Sequence, residues 1–242
     1  MARRKTIINT RLEILQVASH LFLTEGYSTT TVSKIANKLG ISLGNLTFHF
    51  PTKEHLLAEL IDYLCEYHML IMEQEVEDGK TSLLAYLLEL TSMMAICEQD
   101  PVAEDLYLSA YTHSLSLDLI RKSDTEKAKL VFHDFCPDWT DEDFAAAENI
   151  VSGIEYASLC KESAEDVPLD KRITSTLEAV MKIYNVPQEL RDVKIEKIHK
   201  TDYHRIGHRL IDGFIRYVEE ANQKALEEIV EQEKHRGDED AL

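Results

Sequence analysis

The sequence predicts an all-α fold, and three observations support that prediction. Glycine and proline, which interrupt regular elements, occur only 8 and 5 times in 242 residues. Apolar residues recur at the three- and four-residue spacing of a helix, and no segment sustains the alternation that is typical of strands. Leucine, alanine, glutamate and lysine, which are good helix formers, dominate the composition. A chain of this length fits either one large helical domain or a small one joined to a larger one.

Four helices are predicted in the first 77 residues. They cover about 9–25, the stretch from the threonine cluster 29–31 to Gly40, the stretch from Ser42 to near Phe50, and 53–77. Threonine and serine are good N-caps, and Gly26 and Gly40 stand where a helix typically ends. The fourth helix begins behind Pro51, which interrupts the chain.

The remaining helices are predicted between prolines and polar turns. They cover about 82–98, 101–122, 125–135, 141–162, 169–185 and 188–234. Thr140 and Asp143 resemble a capping box at the start of the 141–162 helix. The segment 188–234 is predicted as one long helix with an apolar side, and the acidic tail 235–242 as disordered.

Charge is distributed unevenly along the chain. The net charge is −18, which by itself argues against nucleic-acid binding. Residues 1–55, however, carry seven lysines and arginines against three acids, a net of +4, so that the remainder carries −22. A basic head on an acidic body can approach phosphate only with its basic end.

The segment 26–57 favours a helix-turn-helix unit. Gly40-Ile41-Ser42 makes a tight turn between two short helices, and the small side chain of Ala36 allows them to pack closely. The outer side of the third helix is then free to enter a major groove of DNA. The segment reads GYSTTTVSKIANKLGISLGNLTFHFPTKEHLL. It closely resembles the signature of the tetracycline-repressor (TetR) family, and the resemblance covers about residues 9–64.

The resemblance implies an N-terminal three-helix DNA-binding domain followed by a helical bundle for ligand binding and dimerisation. We expect the first domain at 1–55, with helix 53–77 as the connection, and the effector-binding and dimerisation domain at 56–234. The positions that match family contacts with DNA are Thr30 or Thr31, Ser42, Leu43, Asn45, Thr47, Phe48, His49 and Lys53.

The resemblance also implies roles for these positions. Thr30 or Thr31, together with His49 and Lys53, are expected to contact phosphates. Asn45 is the candidate for direct readout, because a carboxamide can bond adenine at two atoms. Phe48 and Leu43 could pack against thymine methyl groups. Thr47 stands where the family usually has tyrosine, so a short hydroxyl replaces the phenol that would reach a phosphate of the DNA backbone.

The resemblance also implies a homodimer that places two recognition helices on a palindromic DNA operator. The 141–162 and 169–185 helices are the expected interface, and small residues in the first would allow close packing. The candidate interface residues are Phe144, Ile150, Val151, Ile154 and Ala157. The alternative is that these residues belong to an intrachain core.

A small-molecule pocket is expected within the bundle. Tyrosine and methionine suit an adaptable apolar site with a few polar groups. The candidates are Tyr86, Met93, Met94, Tyr107, Tyr111, His113, Phe132, His133 and Tyr156. For each of them, ordinary core packing is the alternative. The effector is unidentified, and the acidic body favours a neutral or cationic compound over an anion.

We expect no cofactor, no metal site and no catalytic residues. The pairs His204/His208, His199/Tyr203 and Cys65/His68 have ligand-like spacing but lack a third ligand nearby, so we interpret them as solvated or packed side chains. No glycine-rich phosphate loop, nucleophile elbow or zinc-protease motif occurs, which argues against an enzyme. The four cysteines are widely spaced and are expected to be reduced. The sequence contains no signal-peptide pattern and no long apolar run, so a cytoplasmic protein without a membrane partner is expected.

The preferred hypothesis is a ligand-responsive repressor that binds operator DNA as a homodimer. The alternative is a TetR-like DNA-binding scaffold that takes no small molecule and binds a protein through its acidic body.

Overall fold

The computed structural model describes residues 2–77, 79, 82–161 and 166–239. Within these ranges the chain forms twelve α-helices and one 3-10 turn, and no strand. The predicted all-α fold is confirmed. The first half contains α1 (Ala2–Glu25), α2 (Val32–Leu39), α3 (Leu43–His49), α4 (Lys53–Glu75), α5 (Leu83–Gln99) and α6 (Pro101–Thr112). The second half contains α7 (Ser114–Phe132), the 3-10 turn (His133–Phe135), α8 (Asp141–Leu159), α9 (Leu169–Ile183), α10 (Gln188–His199), α11 (Tyr203–Asp212) and α12 (Phe214–Glu239).

Helix α5 is the centre of the body. Nearly every side chain from Leu83 to Cys97 is buried, which is the pattern of a helix surrounded by other helices. It packs against α4, α6, α8, α9, α10 and α11. The other helices bury one side each, with α7 lying between α4 and α8 and with α12 lying along α1. No helix in the described ranges is both long enough and apolar enough to cross a membrane.

Several local predictions are confirmed by capping geometry. Thr140 and Asp143 form a capping box, in which each side chain bonds the other residue's backbone amide. Gly40 ends α2 in the left-handed conformation, with φ of +67°. None of the four cysteines, which all lie in the described ranges, forms a disulfide, and two of them are buried and two half-buried.

The prediction of one helix over 101–122 is wrong, because the helix is interrupted at His113. His113 has an extended backbone (φ −97°, ψ 126°), and its ring packs edge-on against Tyr27. The following helix, α7, then runs without interruption through the gap predicted at 123–124. No glycine or proline marks this break, so the sequence carries no local signal for it.

The C-terminal segment 188–234 was predicted as one helix and is three. Asp202 caps α11 by accepting a hydrogen bond from the Arg205 amide, and Gly213 separates α11 from α12. The two breaks let α11 pack on α5 while α12 packs on α1. Helix α12 continues to Glu239, so residues 235–239 are helical rather than a disordered tail, and 240–242 lie outside the described residues. Helix α1 likewise begins at Ala2, seven residues before the predicted start.

Gly207 allows the close contact between α11 and α5. A Cβ atom at this position would lie 2.6 Å from the carbonyl oxygen of Ser92 and 3.2 Å from the Cβ of Ile96. The first of these is a backbone atom of α5, which cannot rotate away. The contact therefore requires glycine for space rather than for an unusual backbone angle.

Gly207→Ala is expected to destabilise the protein by about 1–3 kcal/mol, which is the usual penalty for overpacking a core. Alanine would gain about 1 kcal/mol in helix propensity, which offsets only part of the clash. Gly44→Ala is the matched control, because nothing lies within 4 Å of an added Cβ there. Chemical unfolding of both variants measures the difference. Equal midpoints would show that α11 can move away from α5 without loss.

Candidate functional site

The helix-turn-helix unit is built by local caps and a small apolar core. The Thr31 side chain accepts the Lys34 amide at the start of α2, and Ser42 accepts the Asn45 amide at the start of α3. Ile35 and Leu46 are fully buried between the two helices and α1. The two helices are thereby fixed to each other, and the outer side of α3 is left open.

The open side of α3 carries the residues predicted for base contact. Phe48 is 70% exposed and Leu43 is 46% exposed, although both are large apolar side chains. Asn45 and Ser42 are also exposed. Thr47 is half-buried, and its hydroxyl donates to the Leu43 carbonyl at 3.1 Å, within its own helix. Leu43, Asn45 and Phe48 therefore protrude furthest from the unit.

Two residues that were predicted to contact phosphate have surroundings that alter the expected contact. Thr30 is fully buried, and its hydroxyl donates to the Gly26 carbonyl at 2.8 Å, so it cannot reach DNA. Of the two threonines, Thr31 is the exposed one. His49 is half-buried, and burial lowers its pKa. A neutral imidazole would reach a phosphate as an N–H donor rather than as a cation.

The half-buried Lys53 side chain folds back onto the unit. Its Nζ donates to the carbonyl oxygens of Tyr27 at 3.0 Å and Thr30 at 3.1 Å. It also lies 3.9 Å from the centre of the Tyr27 ring. Partial burial lowers the pKa of Lys53. In this structure the ammonium stabilises the turn before α2, which differs from the phosphate contact that the resemblance implies.

Lys53→Ala is expected to lower the stability of the protein by about 1–3 kcal/mol, because two hydrogen bonds from a charged donor are lost. The salt dependence of DNA binding should stay unchanged, since the ammonium contacts carbonyl groups. Lys38→Ala, at an exposed position of α2, is the control for stability. A shallower salt slope, by about 0.9 for each copy, would instead place Lys53 on a phosphate.

The unit is joined to the body through α6, a connection that sequence reasoning missed. The Ser28 amide donates to Asp105 Oδ2 at 2.8 Å, and the Ser28 hydroxyl donates to Asp105 Oδ1. The Tyr27 ring lies 5.3 Å from the His113 ring at the end of α6. Asp105 of α6 and His113 at its end thus contact the loop that precedes α2 directly.

An interior cavity of about 50 Å³ lies between α4, α5, α6, α7 and α8. Of the predicted pocket residues, Tyr86, Met93, Tyr107 and Tyr111 line it. The other five do not line it. His113 contacts Tyr27, Phe132 stacks on Tyr184 at 4.0 Å, Met94 is fully buried elsewhere, His133 is exposed, and Tyr156 is 38% exposed.

The cavity wall also holds charged residues that the sequence analysis did not single out. Lys127 Nζ donates to both carboxylate oxygens of Glu89 at 3.0 Å and lies 3.1 Å from Asp124 Oδ1. His68 bonds Glu89 through Nδ1 at 3.3 Å and the Tyr107 hydroxyl through Nε2 at 3.1 Å. Burial alone raises the pKa of Glu89, but the Lys127 ammonium and His68 bring it down to about 2. Glu89 is therefore ionised and paired.

A second acidic group lies beside this pair, where α7 faces α8. Asp124, Glu148 and Glu155 each place a carboxylate oxygen within 4.8 Å of the other two. The Tyr111 hydroxyl donates to Glu155 and the Tyr184 hydroxyl donates to Glu148, each at 3.0 Å. Burial raises the pKa of all three carboxyl groups, that of Glu148 to about 8. We call these three residues the acidic triad.

A sequence signal for the triad did exist. Glu148 and Glu155 are seven residues apart and share a helix side with Phe144 and Val151, which are 4% and 0% exposed. Acidic residues on a buried helix side are rarely unpaired. The prediction assigned this side of α8 to a dimer interface, so the carboxyl groups were overlooked.

The structure divides the predicted interface residues between two sides of α8. Phe144 and Val151 belong to the intrachain core, which corrects their assignment. Ile150 is 60% exposed, Ala157 is exposed and Ile154 is half-buried. The exposed side of α8 carries Ala146, Ile150, Gly153 and Ala157, at the spacing of one helix face.

The histidine pairs have partners within the chain. His204 Nδ1 and His208 Nε2 both bond the Gln99 side chain, at 2.9 and 3.0 Å. His199 Nε2 bonds the Thr174 hydroxyl at 2.8 Å. Cys65 and His68 both line the cavity.

Comparison with known proteins places the N-terminal unit. Residues 14–60 match the family model described as bacterial regulatory proteins, tetR family. The chain is 33% identical over 94 residues to the nucleoid occlusion factor SlmA of Vibrio vulnificus, covering 38% of this chain and 48% of SlmA. It is 42% identical over 55 residues to the HTH-type transcriptional regulator QacR of Staphylococcus aureus, covering 23% of this chain and 29% of QacR. The match thus spans about half the length of SlmA and less of QacR.

Solved structures resemble the chain over a larger part of its length. Salmonella enterica GusR aligns with a TM-score of 0.47 at 21% identity, covering 72% of this chain and 95% of GusR. A gamma-butyrolactone receptor (ArpA-like protein) aligns with a TM-score of 0.44 at 20% identity, covering 79% of this chain and 95% of that one. The family-model match covers the capped helix-turn-helix unit and the parts of α1 and α4 that flank it. This N-terminal unit is therefore a domain of the tetR type of bacterial regulatory proteins.

Proposed function

We propose that this protein is a sequence-specific DNA-binding transcriptional regulator that acts as a homodimer on a palindromic operator. The observation that carries the proposal is the outer side of α3. There a short helix, capped by Ser42, presents Leu43, Asn45 and Phe48 to solvent within a TetR-family domain. Large exposed apolar side chains beside a carboxamide suit a major-groove edge, which offers thymine methyl groups and adenine.

Electrostatics supports the same orientation. The net charge of +4 in residues 1–55 favours the approach of this end to phosphate, and the −22 of the remainder disfavours the approach of the body. Thr31 and His49 are the candidates for phosphate contact at the two ends of the unit. The body would then project away from DNA.

Dimerisation would follow from the exposed side of α8. Ala146, Ile150, Gly153 and Ala157 form a narrow apolar strip, whose small members allow two copies of the helix to approach closely. Such a strip is self-complementary across a two-fold axis, as an isologous dimer requires. Two α3 helices, one helical turn of DNA apart, would give the affinity that one short helix lacks.

Release by a small molecule is the finer part of the proposal. The cavity and the helix-turn-helix unit share α6, which contributes Tyr107 and Tyr111 to one and Asp105 to the other. At about 50 Å³ the cavity is small, so an effector would have to enlarge it and displace α6. Repression relieved by such a ligand requires only that the two conformations differ in DNA affinity.

A second candidate function is a DNA-bound scaffold for a protein partner. The observation that favours it is the named role of one relative, a nucleoid occlusion factor, together with the strongly acidic body. The two candidates differ in what changes DNA occupancy. For the ligand-responsive regulator, a small molecule releases the DNA. For the scaffold, substitutions that fill the cavity with larger side chains leave DNA binding unchanged.

The test is selection of DNA from a random library by the full chain at two salt concentrations. We expect an enriched palindrome whose half-sites are centred about 10 base pairs apart or a multiple of that. Binding without enrichment that vanishes at moderate salt would contradict sequence-specific regulation.

Asn45→Ala is expected to relax the preference at one base pair of each half-site, by about 1–3 kcal/mol of discrimination. Quantitative binding to a panel of operator variants measures this effect. Asn37→Ala, at an exposed position of α2, is the control and should leave the pattern unchanged. A uniform loss across all variants would assign Asn45 to the DNA backbone instead.

A further inference from the structure

We propose that the acidic triad of Asp124, Glu148 and Glu155 is a binding site for a divalent cation of about the size of Ca²⁺, located between α7 and α8. The proposal does not depend on DNA binding. It rests on the geometry of the three carboxylates, on an unsatisfied oxygen atom of Glu148, and on the charges that surround them.

The spacing of the three carboxylates suits one ion. Each residue offers an oxygen atom, and the three atoms lie within 4.8 Å of one another. Ca²⁺ binds oxygen at about 2.3–2.6 Å, so two of its ligands lie at most about 5 Å apart. Mg²⁺ holds its ligands closer, at about 2.0–2.1 Å, and fits this spread less well. Carboxylates from two packed helices are also the donors that such hard cations prefer.

Glu148 supplies the second, independent observation. Its side chain is only 1% exposed. Its Oε2 accepts a hydrogen bond from Tyr184, but Oε1 has no partner in the part of the chain that the structure describes. A buried oxygen atom without a donor is destabilising, and nearly all such atoms in folded proteins are satisfied. A cation in the triad would satisfy it.

Carboxyl groups outnumber the ammonium groups around the triad. The four carboxyl groups of Glu89, Asp124, Glu148 and Glu155 share this interior with one ammonium, that of Lys127. Lys127 is already engaged by Glu89 and by Asp124 Oδ1. The other nearby cation, Arg121, donates through Nε to Ser152 at 3.0 Å. A divalent ion would bring the cluster closer to neutrality.

Two tyrosine hydroxyls and the interior cavity lie beside the triad. The Tyr111 hydroxyl donates a hydrogen bond to Glu155, and the Tyr184 hydroxyl donates one to Glu148, each at 3.0 Å. These hydrogen bonds orient the carboxylates. Asp124 and Glu155 line the cavity, which has room for waters that would complete the coordination. The Asp124 side chain is 13% exposed, whereas Glu148 and Glu155 are 1% and 6% exposed, so the site is most accessible at Asp124.

The experiment is titration of the full-length protein, stripped with a chelator, with Ca²⁺ by calorimetry and with Tb³⁺ by luminescence. The hydroxyls of Tyr111 and Tyr184 bond directly to the proposed ligands, so tyrosine excitation should sensitise bound Tb³⁺. We expect one ion per chain, displacement of Tb³⁺ by Ca²⁺, and a higher unfolding temperature with Ca²⁺. Absence of stoichiometric binding would overturn the proposal.

Glu148→Gln and Glu155→Gln are expected to lower the affinity for Ca²⁺ by at least about tenfold each, because a charged ligand is lost. Both variants should remain folded without the ion, since glutamine keeps the volume of the side chain and an acceptor oxygen for the tyrosine hydroxyl. Glu142→Gln, on the exposed first turn of α8, is the matched control and should bind Ca²⁺ like the wild type. Unchanged affinity in both triad variants would place the bound ion elsewhere and overturn the proposal.

Discussion

Ile150→Glu is expected to convert the proposed homodimer into a monomer and to lower the affinity for operator DNA at least about a hundredfold. Ile150 is 60% exposed on α8, at the centre of the strip that also contains Ala146, Gly153 and Ala157. A two-fold axis through this strip brings the two copies of residue 150 close together. Glutamate would therefore bury two like charges without partners, a loss of several kcal/mol, and each 1.4 kcal/mol is a tenfold change in affinity.

Sedimentation and operator binding, measured on the same preparations, test this prediction. Leu70→Glu is the matched control, because Leu70 is an exposed apolar residue of α4, 41% accessible and remote from α8. The control should keep the mass and the DNA affinity of the wild type. A dimer that survives Ile150→Glu would move the interface away from α8, and full operator affinity in a monomer would remove the need for a dimer.

Lys127→Met is expected to destabilise the fold by about 3–5 kcal/mol, the range for removing one partner of a buried ion pair. Lys127 is the cation that Glu89 and Asp124 share, and its side chain is 10% exposed. Methionine fills the space but leaves the two carboxylates facing each other in an interior with little water. The desolvation of Glu89 would then lose the compensation that the Lys127 ammonium provides, and only the contact with His68 would remain of the two described above.

Chemical unfolding in the presence of a chelator measures this loss without interference from bound ions. Lys129→Met is the control, since Lys129 pairs with the exposed carboxylates of Glu126 and Asp141 and should contribute less than about 1 kcal/mol. Adding Glu89→Gln to Lys127→Met should recover part of the stability, because one orphaned charge is removed. A loss no larger than that of Lys129→Met would mean that water or protons replace the ammonium readily.

The N-terminal unit was predictable because its signals are local. Thr31 and Ser42 cap α2 and α3 through amides three residues away, and Gly40 makes the turn that only a residue tolerant of positive φ adopts easily. These features depend on residue type and short spacing, and the sequence displays both. The long-range assignments within the same unit were less secure. Lys53 turns inward to carbonyl groups 23 and 26 residues earlier in the chain, which no local pattern reveals.

The body was predictable as helical but not in its breaks. His113 ends α6 where the Tyr27 ring and the start of α7 meet it, without any glycine or proline. Asp202 and Gly213 divide the C-terminal segment so that α11 and α12 can reach different helices. A helical pattern in the sequence reports which side of a segment is buried, and it does not report where the segment must turn to find its partner.

The sequence by itself determined the helical class, the caps of the N-terminal unit, the basic head on an acidic body and the family of that unit. The first three follow from composition or from residues within about one helical turn of one another, and the family follows from the signature over 26–57. The tertiary structure decided which of the two threonines is exposed, which side of α8 is core, and which tyrosines border the cavity. It also decided that carboxyl groups from α5, α7 and α8 meet around one lysine. Those outcomes depend on which helices pack together, because burial and charge pairing are properties of neighbours in space.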